Sequence, residues 1–236
     1  MTESDSSATS RGNAIDQPHA PLHLAGRRFD YRRGGLVEAE TSDDPFEVFA
    51  TWLSDAIGAC EGTAEEPHAM SLATVGSDGR PSIRTVLLKG FDRDGFVWFT
   101  NYESRKGTEL AGSPYAALNF RWGALERQVS VLGTVARVPE AVSDEYFASR
   151  PRGSQIGAIV SPQSRVVASR EPLEFAAAEL DAAPDSAIVR PKHWGGFCLN
   201  PDTIEFWQGR SSRLHDRLRY RRVASESVWV RERLAP

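Results

Sequence analysis

The stretch SIRTVLLKGFDRDGFVWFT, residues 82–100, restricts the fold more than any other. Two runs rich in β-branched and aromatic residues flank GFDRDG, and AMSLATV precedes them across another short turn, GSDGRP. Strands joined by turns this short run antiparallel, because a parallel pair needs a crossover of about a dozen residues or more. The texture recurs in YAALNFRW and RQVSVLGTVARV, and again near the end in GGFCLNP, TIEFWQ, RLHDRLRYRR and SVWVRERL. Helical patterns lie between these groups. In DDPFEVFATWLSDAIGAC, Phe46, Phe49, Trp52, Leu53 and Ile57 fall at helical spacing, with Asp44 as N-cap before Pro45. SRKGTELAG, capped by Ser104, is a second helix; SDEYFASR, closed by Pro151, is a third, and REPLEFAAAELDAA a fourth. This pattern predicts a mainly β fold with peripheral helices, an antiparallel barrel in a single domain over residues 27–236. Residues 1–26, rich in Ser, Thr, Asp, Gly and Pro without periodicity, read as a disordered tail.

Several function classes drop out early. A net charge of −4 over 236 residues leaves no bulk basicity for nucleic acid or an anionic membrane. Cys60 and Cys198 form no metal or redox motif and read as unrelated thiols in a reducing compartment. There is no long apolar run and no signal-peptide core, so the expected location is cytoplasmic. No Gly-rich phosphate loop follows a strand, no Cys/His metal pattern is present, and no nucleophile elbow occurs. No metal site is expected. Any phosphate must be held by side chains.

Those side chains cluster. Arg213, His215 and Arg217 alternate with Leu214 and Asp216, so an extended strand would put the three on one face. Either this is an edge strand kept soluble by charge, or it is a site for an anionic, planar molecule that Trp207 can cover. Arg84 and Lys89 are five residues apart, which a regular strand would send to opposite faces unless it ends near Lys89. Ser104, Arg105 and Lys106 open a helix, where free N–H groups favour an anion, although a solvated cap fits too. Tyr146 and Arg150, four apart, share one helix face, and Pro151 and Gly153 then break the helix and bring Ser154 back, forming a phosphate cup. A surface helix with an incidental Arg is the alternative. Binding groups abound while nucleophiles are lacking, which points to a borrowed cofactor.

IEFWQGRSSRLHDR, residues 204–217, resembles the signature of the pyridoxamine 5′-phosphate oxidase family, and RTVLLKG, TNYESRKG, LERQVSVLG, YFASRPRGSQIGA, SPQS and HWGGF resemble further family segments in family order. The resemblance runs from about Arg27 to Pro236. It implies a split β-barrel homodimer with FMN at the subunit interface. It also implies an activity: oxidation of pyridoxine and pyridoxamine 5′-phosphate to pyridoxal 5′-phosphate, with O2 consumed and H2O2 released. The FMN contacts it implies are Arg84, Thr85, Val86, Leu87, Leu88, Lys89, Phe99, Thr100, Arg105, Lys106, Gln128, Gln163, Ser164, Trp207 and Arg217. Around the substrate phosphate it implies Lys89, Tyr146, Arg150 and Ser154, with Arg213 and His215 as the catalytic pair orienting the pyridine ring. An N-terminal arm closing over the substrate would contribute Arg28 and Tyr31. Phe29 stands where the family often has a second Arg, a charge that Arg27 or Arg32 would have to replace. Phe99 stands where Tyr is frequent. Two rivals share much of this pattern: a split-barrel oxidase of the phenazine-biosynthesis type, and a flavin- or pyridoxal-phosphate-binding carrier without turnover.

Overall fold

The computed structural model describes Leu24, Gly26, residues 29–223 and residues 228–236. The tail expected over 1–26 lies outside the described residues, Leu24 and Gly26 apart, as do Arg27 and Arg28. By contact the chain divides into Met1–Asp30 and Tyr31–Pro236.

The second unit contains, among the described residues, nine strands and five α-helices. The strands are β1 (Ala69–Val75), β2 (Pro81–Leu87), β3 (Gly90–Asp92), β4 (Gly95–Asn101), β5 (Tyr115–Trp122), β6 (Arg127–Arg137), β7 (Trp194–Gln208), β8 (Asp216–Arg222) and β9 (Trp229–Arg233). The helices are α1 (Pro45–Ala59), α2 (Arg105–Gly112), α3 (Glu140–Ser149), α4 (Arg152–Val160) and α5 (Glu171–Asp181). Every strand pairing is antiparallel, in the order β2-β1-β5-β6-β7-β4-β3, with β8 on the second half of β7 and β9 on β8. The Lys89 N–H donates to the Val97 carbonyl at 2.8 Å, tying the end of β2 to β4 near the opposite end of the sheet. The sheet therefore curls on itself.

Inside the curl, α1 supplies the plug. Asp44 accepts the Phe46 N–H at 2.9 Å, and Pro45 opens the first turn, as expected. The helix face of Phe46, Phe49 and Trp52 is buried, with Phe49 5.0 Å from both Phe96 of β4 and Phe120 of β5, and Trp52 5.2 Å from Phe206 of β7. Ile57, placed on the same stripe by spacing, is instead 56% exposed, because the buried face continues through Ala56 and Cys60 and leaves Ile57 beside it.

Four details depart from expectation. GFDRDG is not all turn, since its first half forms β3 against β4. GGFCLNP and TIEFWQ form one strand, β7, which continues through Pro201 because the register with β6 shifts there and leaves Asp202 unpaired. Gly153 does not break a helix: Pro151 ends α3 and caps α4, which runs through Gly153 and Ser154. Finally, the strand expected from Arg213 starts only at Asp216, and Ser211–Arg213 is a tight turn.

Candidate active site

The first group of expected residues gathers around the start of α2. Ser104 caps this helix, accepting the Gly107 N–H, and its hydroxyl donates to the Asn101 carbonyl at 2.7 Å. Lys106 is buried, and its ammonium donates to Gln163 Oε1 at 2.8 Å, Thr100 Oγ1 at 3.1 Å and Ser104 Oγ at 3.4 Å, all neutral oxygens. Burial first, then the charge of Arg84, lowers its pKa to about 8, against a smaller upward pull from Glu109. Arg84 donates to Glu109 Oε2 at 3.2 Å and Arg105 Nε to Glu109 Oε1 at 2.8 Å. Burial would raise the Glu109 pKa, but hydrogen bonds from Ser82, Thr74, Arg105 and Arg84 outweigh it and hold it at about 2. Arg84 and Arg105 thus share one carboxylate while Lys106 meets only neutral oxygens, an excess of positive charge that suits an anion. A cavity of about 780 Å³ opens here, lined by Arg105, Glu109, Gln163 and Ser164 among others. Arg84 lies on β2, an edge strand paired only with β1, so the other backbone edge of Thr85, Val86 and Leu87 makes no ladder. Leu88 and Lys89 follow the strand end, Leu88 buried and Lys89 exposed.

A second group is held in register across three strands. Gln128 of β6 pairs with Trp207 of β7, and Trp207 pairs with Arg217 of β8. Arg217 is gripped by Glu205 at 2.8 and 3.0 Å, and this bond raises its pKa. Between β7 and β8 the chain makes the turn that the expected strand had hidden. Ser212 and Arg213 both have positive φ (56° and 62°), a left-handed pair without glycine, closed by Leu214 N–H to the Ser211 carbonyl at 3.2 Å. Two such residues cost on the order of 1–3 kcal/mol each, and strain of this kind concentrates at functional sites. Arg213, His215 and Arg217 therefore do not share a strand face; the turn brings His215 back to accept the Arg210 N–H on Nδ1 at 3.1 Å and to rest 4.6 Å from Trp207.

The third group lies at the end of α3. Tyr146 stacks on Phe99 at 3.9 Å, and Trp194 lies nearly parallel to both rings. Arg150 is not on the helix: it is the C-cap, with extended backbone (φ −75°, ψ 146°), because Pro151 follows it. Its guanidinium sits 4.7 Å over the Trp194 ring, and its Nη1 is buried without a hydrogen-bond partner. Burial lowers its pKa, opposed by Tyr146. It lines a cavity of about 490 Å³ with Arg152, Gln155 and Arg190, whereas Tyr146 and the exposed Ser154 lie outside that lining.

Of the arm, Arg28 lies outside the described residues. Tyr31 meets Trp207 edge-on at 5.6 Å and His215 at 5.5 Å. Sequence reasoning passed over the partners that hold these groups: Glu109, Glu126, Glu205, Asp216 and Trp194. Glu126, Glu205, Asp216 and Trp194 sat inside recognised segments without a role assigned to them, while Glu109 carried no signal, since a partner distant in sequence becomes visible only once strands pair. Among the described residues, no hydrogen bond, ion pair or ring contact links Trp207, Arg213, His215 or Arg217 to Arg84, Lys106 or Gln163.

Comparison with known proteins follows the same lines. Residues 56–182 match the family described as pyridoxamine 5′-phosphate oxidase, and residues 194–236 match the pyridoxine 5′-phosphate oxidase C-terminal dimerisation region. A pyridoxine/pyridoxamine 5′-phosphate oxidase of Acidovorax sp. (strain JS42) is 54% identical over 220 residues, 92% of this chain and 99% of the relative. One from Salinibacter ruber is 53% identical over 215 residues, 90% of this chain and 99% of the relative. Among solved structures, PhzG from Burkholderia lata 383, in complex with tetrahydrophenazine-1-carboxylic acid, superposes with a TM-score of 0.76 at 32% identity, covering 84% of this chain and 95% of its own. An FMN-binding protein of Nostoc punctiforme, at 17% identity and a TM-score of 0.66 over 83% of this chain and 100% of its own, shares the fold. With its antiparallel curl, its clustered cations and relatives matched over nine-tenths of its length, the chain belongs to the pyridoxamine 5′-phosphate oxidase family.

Proposed function

We propose that this chain is an FMN-dependent oxidase of pyridoxine and pyridoxamine 5′-phosphate that works as a homodimer in the cytoplasm. The observation that carries the phosphate specificity is Arg150. A buried guanidinium N–H with no partner is costly unless an anion completes it, and Arg150 Nη1 is such a group. Two anion sites suit two phosphates, one on the substrate and one on the cofactor. The second is the cluster of Arg84, Arg105 and Lys106, whose single carboxylate leaves net positive charge. FMN fits it: a terminal phosphate would meet those cations and Gln163 and Ser164, and the open edge of β2 offers backbone groups to the ring. Two unpaired thiols, Cys60 and Cys198, suit the cytoplasm.

Bound flavin supplies the electron sink that no side chain here provides. The chain's own contribution is positioning. Lys89, Tyr146, Arg150 and Ser154 would hold the substrate phosphate, and Arg213 and His215 the pyridine ring. Because His215 Nδ1 accepts the Arg210 N–H, its neutral imidazole carries its proton on Nε2 and presents a donor there. The left-handed turn restricts Arg213 by backbone geometry, which favours orientation over flexibility. Overall, pyridoxine 5′-phosphate and O2 give pyridoxal 5′-phosphate and H2O2; the amine substrate also consumes water and releases ammonia.

The dimerisation match over 194–236 contains Trp207, Arg213, His215 and Arg217, which supports a site completed by a second copy. The 32% identity to PhzG favours one rival, an oxidase of an unphosphorylated aromatic acid. Purified protein mixed with pyridoxamine 5′-phosphate decides between them. Bleaching of a yellow flavin without oxygen, and peroxide with pyridoxal 5′-phosphate in air, is the expected result. A yellow protein inert to both B6 phosphates transfers the assignment to the rival, and a protein unable to take up FMN ends the reading.

A further inference from the structure

Glu126 follows the turn after β5 in a left-handed conformation (φ 56°, ψ 36°), with its side chain buried. Its Oε2 accepts two successive main-chain N–H groups from a distant segment, Arg32 at 2.8 Å and Arg33 at 2.9 Å. Its own carbonyl accepts the Gly209 N–H at 2.8 Å and Gln208 Nε2 at 3.2 Å. One residue therefore joins the segment starting at Tyr31 to the end of β7. Two further bonds seat that segment: Arg210 Nη1 donates to the Gly34 carbonyl at 2.7 Å, and the Leu36 N–H donates to Asp216 Oδ2 at 3.1 Å.

What this junction places is the Tyr31 ring, edge-on to Trp207 and to His215. The fit is close, since a Cβ on Gly209 would come within 2.7 Å of Tyr31 Cγ and Cδ1. The carbonyl of Glu126 suffices to fix the turn against β7, so the buried carboxylate has a separate task. Its charge-assisted bonds go to main-chain groups of residues 32 and 33, and hold whatever side chains those positions carry.

We propose that Glu126 is a positioning residue, the latch that seats segment 31–36 and so sets Tyr31 as a wall beside Trp207 and His215. The inference rests on the function proposed above for what Tyr31 walls in, but the latch is measurable without it. A latch acts on retention of substrate, so its loss raises KM more than it lowers kcat. A merely structural residue would move stability, FMN affinity and kcat together.

The test uses full-length, FMN-loaded protein and three variants. In Glu126→Ala, amide hydrogen exchange at residues 32–33 should accelerate about tenfold or more, the scale of a lost charge-assisted hydrogen bond. KM for pyridoxine 5′-phosphate should rise about tenfold, with kcat and the FMN Kd within about twofold of wild type. Glu126→Gln keeps an acceptor oxygen and should restore most of both. Gly209→Ala leaves Glu126 intact but crowds Tyr31, and should raise KM alone; it also decides the matter if Glu126→Ala does not fold. Unchanged exchange in Glu126→Ala, or a parallel fall in kcat and FMN affinity, overturns the latch. If wild type proves inert toward B6 phosphates while Glu126→Ala still frees residues 32–33, the functional reading fails and the latch stands.

Discussion

Lys106 buries an ammonium among neutral oxygens of Thr100, Ser104 and Gln163. With its pKa lowered from 10.5 to about 8, chiefly by burial, the unfolded chain keeps a proton between those values that the folded, flavin-free protein has released. This group's contribution to stability therefore rises with pH across that window, and the penalty is full below it. A phosphate dianion beside Lys106 reverses the preference, because it favours the charged form and raises the pKa. FMN affinity should then be greatest below pH about 8 and decline above it, as read by quenching of flavin fluorescence in a pH series. Lys106→Met should weaken FMN binding about tenfold or more while leaving the melting temperature of flavin-free protein equal or higher. A pH-independent Kd in wild type contradicts this role. For Arg213 the expectation is opposite in kind: Arg213→Ala should depress kcat more than it weakens FMN, and equal losses would exclude an orienting role. That Arg213 was a candidate at all was legible from its motif. Its left-handed backbone was not, since Arg-Ser-Ser-Arg carries no glycine to announce a positive φ.

Elements were easier to read than the joints between them. Alternation and Gly/Asp turns identified most strands, and Asp44-Pro45 and Ser104 identified two helix starts, because those signals are local. The joints depend on partners distant in sequence. Proline 151 reads equally as a stop for α3 or a start for α4, and it serves as both. Likewise β7 passes Pro201 only because it bulges at Asp202, which finds no partner between Leu132 and Gly133 of β6. That bulge matters for the site, because a one-residue slip along β6 and β7 would turn Gln128 and Trp207 to opposite faces of the sheet. Gly133 permits it: a Cβ there would collide with the backbone of Asn200 and Pro201. Gly133→Ala should therefore cost about 1–3 kcal/mol in urea unfolding and reduce FMN uptake in the same variant. Loss of stability with FMN affinity intact would separate the bulge from the site.

At the scale of the molecule, the site's parts divide into groups that, among the described residues, no contact within one chain joins. The cations near α2 belong to the segment 84–109 with Gln163, while Trp207, Arg213, His215 and Arg217 fall in the dimerisation region. If two copies complete two equivalent sites by a two-fold axis, each site takes one group from each copy. Genetic complementation reads this directly. Lys106→Met damages the first group and Arg213→Ala the second, so each homodimer carries two damaged sites. In a mixed dimer one site collects both lesions and the other collects neither. Random reassortment of equal amounts puts half the dimers in the mixed form, each with one intact site of two, so activity should recover to about a quarter of wild type. Were each site built within a single chain, every site in the mixture would keep one lesion and nothing would be regained. Recovery near a quarter, appearing only after subunits exchange, would establish the shared site that the separation of these groups implies.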